Sequence, residues 1–304
     1  MADITAAMVK ELRERTGAGM MDCKTALTQT NGDFEEAVVF LRKKFGNKLS
    51  DRQGRTTSEG VVAVWVLDRQ DGAIVELNSE TDFVARNADF KEMARELAEQ
   101  VVREKGHNVE TVLTQKSVVA PGSTVQERLH DIFTRLRENI VFRRFELIST
   151  DEKGSLSAYV HVPANDKIGV LVELEAATAE AAKTEAVQTV GREIAMQIAA
   201  ARPRYLRRED VPAEVQEREK DVARAQAQNE GRPEAAIEKI VEGRLRKYYE
   251  ETVLVDQVYL RDPKKTVAQV LKDAGVSIRR FVRFEVGEQV TGAQTSGAIK
   301  EQAE

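Results

Sequence analysis

Near the start of the chain, apolar positions recur every three to four places. Ile4, Ala7, Met8 and Leu12 share one helical face that ends at Thr16-Gly17-Ala18-Gly19, and Met21 to Thr30 makes a second period closed by Asn31-Gly32. Asp33, with Glu36 three places on, opens a third period carrying Phe34, Ala37, Val38 and Leu41. The pattern predicts three short helices, a bundle small for independent stability. The polar stretch from Gly46 to Ser58 then predicts a linker.

Beyond the linker the period changes. Val61 to Leu67 is apolar and β-branched, Asp71-Gly72 is a hairpin signal, and Ala73 to Asn78 returns as the partner strand. Asn78 to Asn87 reads as a connecting loop into a helix over Ala88 to Val102, which carries Phe90, Met93, Leu97 and Val101 on one face. After Pro121-Gly122, Ser123 and Gln126 form a candidate capping box for a helix bearing Leu129, Ile132, Phe133 and Leu136. Ile140 to Ser149 reads as a strand. A second hairpin, Leu156 to Val162 and Ile168 to Glu175, turns at Ala164-Asn165-Asp166 and leads to a helix over about 181–200.

Val211 to Asn229 and Pro233 to Glu251 predict an αα-hairpin, with Pro212 and Pro233 in the first turns. Val215, Val222 and Ala225 are expected to face Ile237, Ile240, Val241 and Leu245. This stripe is thin, so the hairpin reads as a projecting arm, either solvated or available for self-association. A short helix over Val267 to Ala274 and a strand over Val276 to Val286 complete the ordered pattern, and the polar stretch from Glu288 reads as a tail.

One spacing recurs. Val172-Glu173-Leu174 lies 97 residues after Val75-Glu76-Leu77, and Arg192 to Ile198 lies 97 after the related Arg95 to Val101. Two matches at one offset point to a duplicated hairpin-plus-helix unit. At that offset Thr81-Asp82-Phe83-Val84 corresponds to Thr178-Ala179-Glu180-Ala181, which has no aromatic. Two readings of Phe83 and Val84 stand at this point. They either tuck onto the sheet as core, or face water as an apolar wedge. The fold does not need them for the connection, because its twin manages without.

Composition narrows the classes. With Lys plus Arg at 46 against Asp plus Glu at 51, a net charge of −5 argues against generic nucleic-acid binding. Local basic groups (Arg202, Arg204, Arg207, Arg208; Arg279, Arg280, Arg283) read as solvated faces. The single cysteine, Cys23, fits a reducing compartment and a packing role. An N-terminus without an apolar leader, and the lack of a membrane-length run, lead to the expectation of a cytoplasmic chain.

Gly17 to Thr25 superficially suggests a phosphate loop. Ala18 and Cys23 stand where glycines would be required, however, and a helix rather than a strand precedes it. His107, His130 and His161 have no metal-ligand spacing. No catalytic constellation, cofactor site or metal site is expected.

Val9 to Lys24 (VKELRERTGAGMMDCK) and Glu76 to Asn87 (ELNSETDFVARN) resemble the two signatures of the translation elongation factor Ts family. Gln197 to Ala200 with Pro203, Tyr205 and Leu206, and Asp262-Pro263 with Lys265-Thr266-Val267, fit the same family. The matches run from about residue 3 to 287. The resemblance implies a non-enzymatic guanine nucleotide exchange factor whose partner is elongation factor Tu in its GDP-bound and nucleotide-free states. It also implies no direct nucleic-acid or membrane contact.

The implied architecture is α+β. It has a ubiquitin-associated-like three-helix module (1–46), a linker (47–59), a duplicated antiparallel sheet-plus-helix core (60–139, then 140–202 with 252–287), a helical hairpin arm (203–251) and a flexible tail (288–304). Thr81, Asp82, Phe83 and Val84 would push toward the magnesium and phosphate side of the GTPase's nucleotide site. Val9, Arg13, Gly19, Met20 and Met21 would contact its nucleotide-binding domain, and the second core half would reach another domain. The arm can serve in a homodimer, which would give a heterotetramer with the GTPase. It carries no family motif, so self-association stays open. Two other classes are a non-exchanging adaptor built on the three-helix module, and an enzyme with a concave polar site on the α+β core.

Overall fold

A computed structural model describes residues 4–16, 18–41 and 57–288; most of the expected linker and all of the tail after Glu288 lie outside these residues. The described fold is α+β. Helices α1 (Ala6–Thr16), α2 (Met20–Gln29) and α3 (34–41) open it. The Asp33 carboxylate accepts the Glu36 amide at 2.9 Å, capping α3. The helices bury Val9, Leu12, Cys23, Ala26, Leu27, Ala37 and Leu41 together with Phe133, a residue from far along the chain. The bundle is thus completed by the neighbouring helix α7 (Val125–Leu136), which offsets its small size.

Two three-stranded antiparallel sheets follow. One is ordered β1 (Glu59–Leu67), β2 (Asp71–Ser79), β3 (Ile140–Ser149). The other is ordered β4 (Gly154–Val160), β5 (Ile168–Ala176), β6 (Val276–Glu285). Strand alternation assigns the faces. Val61, Ala63, Val75 and Leu77 pack under helix α5 (Ala88–Glu104), whereas Val62 and Ile74 meet Leu156, Leu171, Val282 and Phe284 of the second sheet. Val170, Val172 and Leu174 pack under helix α9 (Glu185–Ala201). The layers run helix, sheet, sheet, helix. Both sheet faces are buried, which is why the central strands read as near-continuous apolar runs. Gly169 lets the sheets approach, since a Cβ there would collide with the Val62 side chain.

The spacing of 97 recurs in the coordinates. The bounds of β2 and β5, and of α5 and α9, differ by that number, and so do the left-handed caps Lys105 and Arg202. Each middle strand carries a register shift at the same place, Glu76/Leu77 and Glu173/Leu174. The shift inserts an extra residue in the partner strand, so consecutive arginines approach one carboxylate instead of pointing to opposite faces. Arg143 and Arg144 both reach the fully buried Glu76, and Arg279 and Arg280 reach Glu173. Buried Gln100 and Gln197 also match: each donates to a glutamine side chain (Gln115, Gln257) and a backbone carbonyl, and accepts one backbone amide.

The remaining described elements include α6 (Val109–Thr114), α8 (Ala179–Ala182) and α12 (Val267–Asp273), with α10 (Ala213–Asn229) and α11 (Glu234–Thr252) forming the arm. Several expectations are corrected. The capping box of α7 is Thr124 with Glu127, one place on from Ser123 and Gln126, because Ser123 is held in the preceding turn by its bonds to Ala120. The helix expected over 181–200 is split into α8 and α9, with Thr184 capping the second. Pro212 and Pro233 sit at the N-cap positions of the arm helices rather than inside them. The outer arm seam is Ala223 and Ala227 against Ile237 and Val241, with Val222 exposed, while Val215 and Leu245 pack at the base as expected. Alanines allow the two helices to approach closely, and the larger residues of α11 fill the seam.

Candidate partner-binding site

Thr81 to Val84 does not form an irregular loop. It starts a single-turn helix, α4 (Asp82–Ala85), capped by the Thr81 hydroxyl, which accepts the Val84 amide at 3.4 Å. The turn separates the side chains. Val84 and Ala85 point inward to the first core cluster, and Phe83 points out with 82% of its surface exposed. The expectation that Phe83 and Val84 together face water is therefore corrected for Val84, since one helical turn cannot present two successive residues to the same side. In the second half, Thr178 caps α8 in the same way, accepting the Ala181 amide at 3.2 Å, and exposed Glu180 takes the place of Phe83.

The Asp82 carboxylate pairs with Arg86 at 3.0 Å across one turn. Both groups are substantially exposed, so the pair is weak and readily exchanged for another partner. Thr81 is held more firmly. Its amide and hydroxyl donate to the two carboxylate oxygens of Glu138 at 3.0 and 2.6 Å, and the Asn139 amide donates to Glu80 at 2.8 Å. These bonds tie the turn to the connection between α7 and β3.

The N-terminal candidates divide. Met20 and Met21 are exposed at the start of α2, and Arg13 is exposed on α1. Val9 is buried within the helices, which corrects its assignment as a contact residue. Gly19 lies against α7, where an added Cβ would meet the Arg137 guanidinium. Burial raises the pKa of the Cys23 thiol, partly countered by Thr16, which fits its packing role.

A second surface was not singled out from the sequence. A cleft of about 360 Å³ opens on the outer side of α9, lined by His161, Met196, Tyr259, Leu260 and Arg261 among others. Val162, Val258 and Leu260 are exposed large apolar residues on this half. Glu193 anchors the wall, accepting from the Tyr259 hydroxyl at 2.7 Å and pairing with Arg261. Burial, followed by the Glu193 hydrogen bond and charge, pushes the Tyr259 phenol up to about 12. The signal in the sequence was the cluster of apolar residues on the connection following the arm, in a segment with no periodicity to display it.

Among the described residues, no cluster of His, Cys, Asp or Glu could hold a metal ion, and no helix is long and apolar enough to cross a membrane. The geometry presents an exposed aromatic on a tethered turn, with further apolar surfaces on other elements. The family model described as elongation factor TS matches residues 80–288, and the chain belongs to that family. Membership implies a nucleotide-exchange role toward elongation factor Tu in translation elongation. The match begins at Glu80, beside the Thr81 turn, and covers β3 of the first sheet, the whole second sheet and the arm.

Proposed function

We infer that the protein releases GDP from elongation factor Tu by inserting Phe83 between elements that support the magnesium and phosphate side of the nucleotide pocket, so that GTP can reload. The observation that carries this reading is the exposure of Phe83 on a capped turn whose twin, in the other half, has glutamate there. An aromatic held in water on a rigid element is a typical interface anchor. Magnesium bridges nucleotide phosphates and protein ligands, so shifting its supports loosens the nucleotide without side-chain catalysis. Asp82 assists by leaving Arg86 and turning its charge or hydrogen-bonding capacity on those supports.

The remaining assignments follow from the same reading. The N-terminal helices form a ubiquitin-associated-like module that meets the nucleotide-binding domain of the GTPase through Met20 and Met21, with Arg13 alongside. The two sheet-plus-helix halves arose by duplication: their shared bulges, caps and buried glutamine networks support this, with the arm inserted in the second copy. One copy carries the wedge, and the other, through the cleft beside α9, takes a second domain of the GTPase. The protein works in the cytoplasm, without a cofactor and without binding nucleic acid or membrane directly. The arm offers a surface for homodimerisation, and a dimer would bind two copies of the GTPase.

The test is equilibrium linkage. If this protein weakens GDP binding, GDP must weaken its own binding by the same factor. Calorimetric titration into nucleotide-free elongation factor Tu should give tight binding that loosens steeply as GDP and magnesium are added. Affinity indifferent to GDP would make the protein a non-exchanging adaptor.

A further inference from the structure

We propose that Glu138 is a positioning residue that holds the Thr81 turn so that Phe83 is presented to the GTPase; this rests on the wedge reading above. A single turn of helix cannot fix its own orientation, because so short a helix has almost no stability of its own. Something outside the turn must therefore hold it. Glu138 is the residue in place to do so, using both carboxylate oxygens on Thr81: the amide at 3.0 Å and the hydroxyl at 2.6 Å. Because the hydroxyl spends its proton on Glu138, its lone pairs are left for the Val84 amide, so one interaction both tethers and caps the turn. The reciprocal bond from the Asn139 amide to Glu80 and the Ser79 hydroxyl's bond to the Thr81 carbonyl complete the lock.

The second half supplies an internal control. β6 follows β3 by 136 residues at both ends of its pairing with the middle strand, and the residue 136 after Glu138 is Ala274. There Thr178 caps α8 with alanine in the place of Glu138, and its side chain is bonded instead to the carboxylate of Glu180, which stands in the place of Phe83. The turn therefore forms without a carboxylate supplied from outside it. Where the turn gives up its own glutamate for an exposed aromatic, the carboxylate on its threonine comes from Glu138. Its neighbour Arg137 lies against Gly19, so the connection 137–139 borders both the turn and the start of the Met20–Met21 helix.

Because the twin carries alanine, Glu138→Ala should fold, with thermal unfolding close to wild type. Hydrogen exchange at the Val84, Ala85 and Arg86 amides should accelerate about tenfold while α5 and β5 are unchanged, the scale expected for losing a bond to a charged acceptor. Glu138→Gln, which can still accept one bond and donate another to the hydroxyl, should restore most of the protection. Acceleration of GDP release from elongation factor Tu should fall about tenfold in Glu138→Ala, and this effect should vanish in a Phe83→Ala background. That non-additivity separates positioning from general structural damage. Unchanged turn amides, or effects of the two substitutions that multiply, would overturn the proposal. Wild-type release by Phe83→Ala alone would instead sink the wedge reading, and the turn amides would still report whether Glu138 holds the turn.

Discussion

At the scale of single residues, Phe83 and Val84 show how adjacent apolar side chains can serve opposite ends. Val84 is 8% exposed and packs into the first core cluster, so its burial stabilises the fold. Phe83 is left in water, and covering its ring on a partner is worth roughly 2–3 kcal/mol. Phe83→Ala should therefore leave thermal stability within about 0.5 kcal/mol of wild type and weaken binding to nucleotide-free elongation factor Tu at least about 30-fold. Val84→Ala should do the reverse, lowering unfolding free energy by about 1–2 kcal/mol with a smaller effect on affinity. Urea unfolding and calorimetry on the two variants would separate the roles.

Tyr259 gives a second prediction at this scale. Its phenol is raised by burial and by Glu193, to about 12 folded against about 10 for an unperturbed tyrosine. The folded state thus favours the protonated phenol. This contribution is fully present below pH 10 or so, and is lost as pH rises through about 12. Ultraviolet titration of the five tyrosines should show a late step near pH 12 that disappears in Tyr259→Phe.

At the scale of elements, the long helices and the hairpins were legible because their apolar periods extend over many residues. The four-residue helices α4 and α8 were not, because a single turn shows no period. The arm was legible as two helices and only in part in its seam. Val215 packs as expected, with Leu245 in the cluster at the base of the arm, but Val222 and Ala225 are exposed, because farther out the close approach selects the small side chains Ala223 and Ala227. Ala227 is fully buried between the arm helices, in a cluster separate from both main cores. Ala227→Glu would place a charge in that seam. The expected result is loss of helical circular dichroism from α10 and α11 while the calorimetric melt of the sheet core keeps its midpoint. A single lowered transition for the whole molecule would mean that the arm and core unfold as one unit.

At the scale of the whole molecule, the two halves are joined through an apolar layer and a buried ionic one. Arg144 lies 2.6 Å from Glu76 and stacks over Phe284 of the other sheet at 4.0 Å, while Thr150 donates to Glu173 at 2.6 Å. None of this could be seen in the sequence, since the pairs bring together residues from distant strands and depend on bulges that reorient successive arginines. The repeat at 97 was visible because it preserves spacing, whereas the partners it brings together do not. Arg144→Met should destabilise the fold by about 3 kcal/mol in urea unfolding, because it removes the shortest bond to a fully buried carboxylate and leaves its Oε2 without that partner. The matching Glu76→Gln substitution, in an Arg144→Met background, should recover part of that loss.

The proposed wedge was half legible. Its motif and its absence from the twin were plain in the sequence, but the orientation of each side chain, and the Glu138 tether, follow only from the turn's three-dimensional path. The central claim, that this scaffold expels GDP through Phe83, is tested most directly by stopped-flow release of a fluorescent GDP analogue from elongation factor Tu. Wild-type protein should accelerate release strongly, and Phe83→Ala should lose most of that acceleration at the same concentration. Equal acceleration by the two proteins would contradict the claim and move the driving contact to the N-terminal helices or to the cleft beside α9.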